Sequence, residues 1–123
     1  DFLNRFATEI REIRVVIAVS TDGLLIAQSD GFSKSECDVL AALTSNLTGI
    51  GQAAASRYDA GGLRQAIIEM ERGLLLVTSI GEGAILAVLT TNRADVAHVG
   101  YELARLALRA EDALSPALRT ASA

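Results

Sequence analysis

The chain has 123 residues, half of them hydrophobic, with a mean hydropathy of +0.35 and a formal charge of −4. A single domain of this length buries roughly two thirds of the surface that its unfolded chain exposes, so neither disulfide nor metal is needed to hold it together. The acidic balance and the scarcity of aromatic residues exclude nucleic acid and anionic membrane surfaces as expected partners, while the high hydropathy points to apolar surface covered by another chain.

Cys37 is the one cysteine. It allows no intrachain disulfide and no metal-ligand spacing, which suits a reducing cytoplasm. The opening residues read as an amphipathic segment and not as an export signal. The most apolar stretch, 74 to 91, is interrupted near its middle by Thr78, Ser79, Gly81, Glu82 and Gly83, so direct membrane insertion is not expected.

In chain order, Phe2, Phe6, Ile10 and Ile13 recur at helical spacing and predict a first amphipathic helix. The segment 14 to 28 changes the period: a β-branched run, a Thr21-Asp22-Gly23 turn and a second apolar run predict a β-hairpin. Ser33 and Glu36 have the spacing of a capping box, and the helix that they open runs to about Arg57, about 37 Å if continuous. Gly61-Gly62 ends it. Strands are predicted over 63 to 71, 74 to 80 and 84 to 91, and a third helix, with Asn92 as its cap, buries Val96, Val99, Leu103, Leu106 and Ala110. Ser115-Pro116 stops that helix, giving a domain over 1 to 115 and a flexible tail over 116 to 123.

The order α-β-β-α-β-β-β-α with tight turns between neighbouring strands predicts an α+β fold: a three-layer α/β/α sandwich on a central five-stranded antiparallel sheet. Strands apolar on both parities require helices on both faces. Five strands span about 19 Å and a seven-residue strand is about 23 Å long, so a helix of about 37 Å overhangs the sheet. Leu40, Leu43, Leu47, Ile50 and Ala54 form a seam on this helix, and Ala41, Ala42, Gly49, Gly51, Ala53 and Ala55 would allow a second helix to approach closely. The plainer alternative is a bent helix that wraps its own domain. Strand 63 to 71 is the most polar of the set, with Ala66, Ile68 and Met70 on one face and Gln65, Glu69 and Glu71 dominating the other, as in an edge strand guarded against promiscuous pairing or reserved for its own copy.

Motifs for chemistry are weak. A phosphate-binding glycine loop leads into a helix, but Gly81-Glu82-Gly83 leads into an apolar strand and reads as a hairpin turn. His98 has no serine or cysteine beside it in sequence to form a nucleophile pair. Cys37 sits in a first helical turn, where the dipole could lower its pKa, but no basic partner accompanies it. Asp59, Glu69, Glu71 and Asp95 form no acidic metal loop, and the sequon at Asn46 falls within a helix. No catalytic residue, metal or cofactor is expected.

The stretches "STDGLLIAQSDG" (20 to 31), "GGLRQAIIEMERGLLLVTSIGEGAILAVLTT" (61 to 91) and "ADVAHVGYELARL" (94 to 106) together resemble bacterial proteins of the Roadblock type, related to Roadblock dynein light chains. The resemblance covers nearly the whole chain, and the arginine-rich, alanine-rich composition resembles that of a high-GC bacterial genome. It implies a homodimer in which two five-stranded sheets join edge to edge through strand 63 to 71 while the long helices, 34 to 57, pack together. Carried onto this chain, the interface would include Leu40, Leu43, Leu47, Ile50, Ala54, Gln65, Ile67 and Glu69. It also implies a Ras-like small GTPase as partner, and in similar actinobacterial systems a co-encoded sensor kinase. The expected function is a non-catalytic interaction module that regulates or scaffolds such a GTPase in bacterial signalling. The alternative is a small-molecule sensor with a pocket between sheet and helix, for which the strands supply only Thr78 and Ser79 as polar lining.

Overall fold

The computed structural model describes residues 2–81 and 83–113. Its elements are α1 (Phe2–Glu9), β1 (Ile13–Ser20), β2 (Leu25–Gln28), α2 (Lys34–Arg57), β3 (Gln65–Met70), β4 (Gly73–Ile80), β5 (Ala84–Thr90) and α3 (Val96–Ala113). The proposed domain end at 115 and the tail at 116 to 123 lie outside the described residues.

All neighbouring strands are antiparallel, in the order β2-β1-β5-β4-β3, which leaves β2 and β3 as the two edges. The α2 crossover carries the chain from one edge to the other, and β5 then inserts between β1 and β4. Side-chain alternation sorts the strands onto two cores. One face, with Val16, Ala18, Leu76, Leu86 and Val88, packs against Leu3 and Phe6 of α1 and Val99, Leu103 and Leu106 of α3. The other, with Val15, Ile17, Val19, Val77 and Ala87, packs against Cys37 and Ala41 of α2. Strands buried on both faces thus explain runs that do not alternate between apolar and polar residues, and the α/β/α sandwich is observed.

Local chemistry sets the boundaries, in two places differently from the sequence reading. α1 ends at Glu9, Ile10 is buried just beyond it, and Ile13, expected on the helix, opens β1. A single apolar residue at helical spacing could not outweigh the β-branched run that follows it. At α3 the cap is Asp95 and not Asn92: the Asp95 carboxylate accepts the Ala97 N–H at 3.0 Å and its carbonyl accepts that of Val99. Ser33 caps α2, its hydroxyl accepting the Glu36 N–H at 3.1 Å.

The β1–β2 turn is tied by Ser20, whose hydroxyl donates to the Asp22 carboxylate and accepts the Leu24 N–H at 3.0 Å. Gly23 there adopts φ +92°, which a side chain would strain. Ile80 lies opposite Ala84, so Gly81 and Gly83 lie in the turn of a hairpin as expected, and it is the strand β5 that follows them, where an anion-binding loop would lead into a helix.

Between α2 and the sheet, Thr48 donates its hydroxyl to the Thr44 carbonyl at 2.9 Å, whereas the fully buried Thr44 hydroxyl has no hydrogen-bond partner among the described residues. Removing an unsatisfied buried hydroxyl at constant shape recovers its desolvation cost, so Thr44→Val is expected to raise stability by about 1 kcal/mol. The check is the urea midpoint at unchanged slope, and a lower midpoint would mean that the hydroxyl is satisfied in solution.

Candidate interaction surface

The buried residues of α2, Cys37, Ala41, Thr44 and Thr48, recur every four or three positions and form the stripe that meets the sheet. All four are small, which lets the helix lie close to the β-branched surface beneath it. The seam of large residues is rotated from this stripe by about 100° around the helix. Leu40 and Leu47 sit half-buried at its margin, packed against the core, while Leu43 and Ile50 are 55% and 70% exposed and Ala54 is exposed. Val39, 55% exposed, extends the same apolar flank.

Two contacts show which way the flank looks. On one side of α2, Ser45 donates to the Thr21 carbonyl in the β1–β2 turn. On the other, Gly51 abuts Leu63 on the approach to β3, where an added side chain would come within 2.9 Å of the leucine. Leu43 and Ile50 lie on this second side, so the apolar flank faces the β3 edge of the domain.

β3 has a neighbour on one side only. Ala66, Ile68 and Met70 stand opposite Val77, Leu75 and Gly73 and therefore share the α2 face, while Gln65, Ile67 and Glu69, opposite Thr78, Leu76 and Leu74, share the α3 face. Ile67, Ile68 and Met70 are 46%, 39% and 44% exposed, an unusual amount of large apolar surface for a guarded edge.

The expected interface residues thus fall into two groups. Leu40, Leu43, Leu47, Ile50 and Ala54 form one helical flank, and Gln65, Ile67 and Glu69 lie at the edge but on the opposite sheet face. Gln65 is engaged within the chain, its side-chain amide donating to the Gly100 carbonyl of α3 at 2.9 Å. Ile68 and Met70 share the face of the α2 flank; the sequence places them with Ala66 on one strand face but does not assign them to the expected interface. An open cleft of about 690 Å³ between the end of α2 and the start of β3, bordered by Gly51, Ala54, Tyr58, Leu63 and Gln65, continues the surface.

The residues considered for chemistry do not converge. His98 is exposed on α3. Cys37 is 1% exposed, and burial, reinforced by the negative charges of Asp38 and Glu36, pushes its thiol above its ordinary value. Desolvation opposes the helix-dipole effect and keeps the thiol protonated. It should not react with Ellman's reagent at pH 7.5 until the protein is unfolded, and rapid labelling of the native chain would contradict its burial. Thr78 and Ser79 border an open cleft of about 550 Å³ against Tyr101 and Leu108 of α3, but the Thr78 hydroxyl already donates to the Arg64 carbonyl at 3.0 Å. Among the described residues no group of three or more His, Cys, Asp or Glu could hold a metal ion, and no helix is long and apolar enough to cross a membrane.

A small α+β sandwich with an uncovered apolar helix flank beside its β3 edge is the class of domain that these observations define. The chain belongs to the Roadblock/LC7 domain family, whose model matches residues 2–90. It is similar to the solved Roadblock/LC7 domain from Streptomyces avermitilis, at 32% identity over 93% of this chain and 95% of that one, with a TM-score of 0.86. The fold is shared with MglB of Myxococcus xanthus, at 18% identity over 94% of this chain and 86% of that one, TM-score 0.83. It is also shared with the gliding protein MglB of Thermus thermophilus, at 21% identity over 87% and 81%, TM-score 0.76. Comparison with curated proteins returns no match.

Proposed function

We propose that the chain is a non-catalytic, homodimeric, cytoplasmic interaction module that binds a Ras-like small GTPase and regulates or scaffolds it in bacterial signalling. The observation that carries this reading is the uncovered flank of α2 (Leu43 and Ile50) on the same side of the domain as the open β3 edge. A second copy can cover both at once: its β3 continues the sheet and its α2 lies against the apolar flank. An isologous contact of this kind places the same patch on both chains. A solved structure is described as MglB with a tetrameric arrangement, at 22% identity and TM-score 0.80, which supports self-association as a use of this fold.

The GTPase enters through the family resemblance. The paired α2 helices and their adjoining loops would form one composite platform, so dimerisation would be part of partner recognition. The test is affinity capture from a lysate of the native organism with the purified chain as bait, with GTP and separately with GDP, and identification by mass spectrometry. Recovery of a small GTPase is expected, and a difference between nucleotides would make the module a regulator over a passive scaffold. Recovery of the bait alone would count against the GTPase reading.

A further inference from the structure

We propose that the open cleft between α3 and the start of β3 is a binding site for an organic anion with an aliphatic body, an acyl carboxylate of medium chain length. The inference goes beyond the dimer and GTPase reading and does not rest on it. The cleft lies on the α3 side of the sheet, and the apolar flank of α2 lies on the other.

The two walls of the cleft differ in chemistry. α3 buries Val99, Leu103 and Leu106 against the sheet, and its flank toward β3 presents Tyr101, Ala104 and Leu108 at helical spacing. Tyr101 and Leu108 are 64% and 81% exposed, so neither is spent on the core of that face. Single exposed apolar residues are ordinary, but these two border one cleft, and grouped apolar surface marks a place where something binds.

The strand wall is polar and held in place. Arg64 and Gln65 border the cleft on the β3 side and Thr78 from β4. The Thr78 hydroxyl donates to the Arg64 carbonyl at 3.0 Å, and the Gln65 amide donates to the Gly100 carbonyl at 2.9 Å. Gly100 makes the second contact possible, since an added Cβ would stand only 3.3 Å from the Gln65 side-chain oxygen.

Arg64 supplies the charge. The ion pairs among the described residues are Lys34–Asp38, Arg72–Glu71 and Arg105–Glu102, so its guanidinium has no acidic partner there. No Asp or Glu is among the described residues that line the cleft, although the chain carries a formal charge of −4. The site therefore presents one unneutralised cation and nothing to repel an anion. A guanidinium holds a carboxylate through two parallel N–H···O bonds, and Gln65 keeps a second amide N–H beyond the one given to Gly100.

Size and lining select the body of the ligand. The cleft measures about 550 Å³, within the roughly 300–1,000 Å³ of small-molecule sites. From Gly100 to Leu108 the helix extends about 12 Å, which gives a flexible chain an aliphatic wall to follow away from Arg64. The other cleft that Arg64 borders, at the end of α2, adjoins the flank and edge assigned above to a second copy.

The test uses decanoate below its micelle concentration as the probe, with decanol as its uncharged counterpart, added to the full isotope-labelled chain. Amide resonances are followed by NMR and affinities by calorimetry. Decanoate is expected to shift Gln65, Thr78, Gly100, Tyr101, Ala104 and Leu108 together, and to bind about tenfold more tightly than decanol, as the loss of one charge-assisted contact implies. Arg64→Gln should remove that difference by weakening decanoate and leaving decanol unchanged. Leu108→Ala should weaken both. Arg64 and Leu108 are exposed, so neither substitution disturbs the core, and unchanged urea midpoints check this. Absent shifts, shifts centred on Leu43 and Ile50 of α2, or a decanoate affinity indifferent to Arg64→Gln would each overturn the site, while leaving the dimer and GTPase reading untouched.

Discussion

Replacing Ile50 by aspartate is expected to turn the proposed homodimer into a folded monomer. Ile50 is 70% exposed in one chain, so the substitution disturbs no core contact there. Within the dimer it would bury an unpaired carboxylate, at a cost of about 3–5 kcal/mol for each site, and symmetry places two such sites in one interface. Since each 1.4 kcal/mol is about tenfold in affinity, the dissociation constant should rise by at least about a hundredfold. Leu43→Asp, on the same flank, should behave alike. Leu47→Asp would be a poorer probe, because Leu47 is half-buried against the core and its loss would weaken the monomer as well. If partner binding uses the composite platform, Ile50→Asp should abolish dimerisation and GTPase binding together. A monomeric variant that bound the GTPase as well as the parent chain would refute that coupling.

The second large effect is internal. Leu76 is fully buried on β4, between Ile67 of β3 and Val88 of β5, and belongs to the core shared with α1 and α3. Leu76→Ala removes buried methyl and methylene groups and leaves a cavity, and should cost about 2–5 kcal/mol. That is a large share of the roughly 5–15 kcal/mol by which a domain is stable. Leu108→Ala, on an α3 residue that is 81% exposed, should change stability by less than about 0.5 kcal/mol. Urea midpoints measured in the Ile50→Asp background would separate core packing from concentration-dependent association. A loss below about 1 kcal/mol at Leu76 would contradict the packing described for that face.

Much of the fold was legible because its signals are local. The hairpin turns, the capping serine of α2 and the double-sided apolar strands each follow from short-range chemistry, and their order led to a five-stranded antiparallel sheet between helices. What the sequence hid was rotation and cap choice. The strongest periodic signal on α2, Leu40 to Ala54, marks the margin and the exposed flank, while the stripe against the sheet is made of Cys37, Ala41, Thr44 and Thr48. Hydrophobic periodicity weights residues by size, and here the close helix–sheet contact uses small side chains. Asn92 and Asp95 are both good capping types, and only the path of the chain after β5 selects Asp95. On β3 the expected surface took Gln65, Ile67 and Glu69, whereas Ile68 and Met70 share the face toward which α2 presents Leu43 and Ile50. Recognising this requires knowing which strand face α2 covers, a tertiary fact that strand alternation alone cannot supply.

The most direct test of the account is the mass of the purified chain in solution, measured by light scattering coupled to size exclusion over a range of concentrations. The chain weighs 12.9 kDa. A mass of twice that value, falling to the single-chain value for Ile50→Asp, is the expected result. A parent chain that runs at 12.9 kDa at every concentration would contradict it, because the α2 flank and the β3 edge would then stand uncovered in solution.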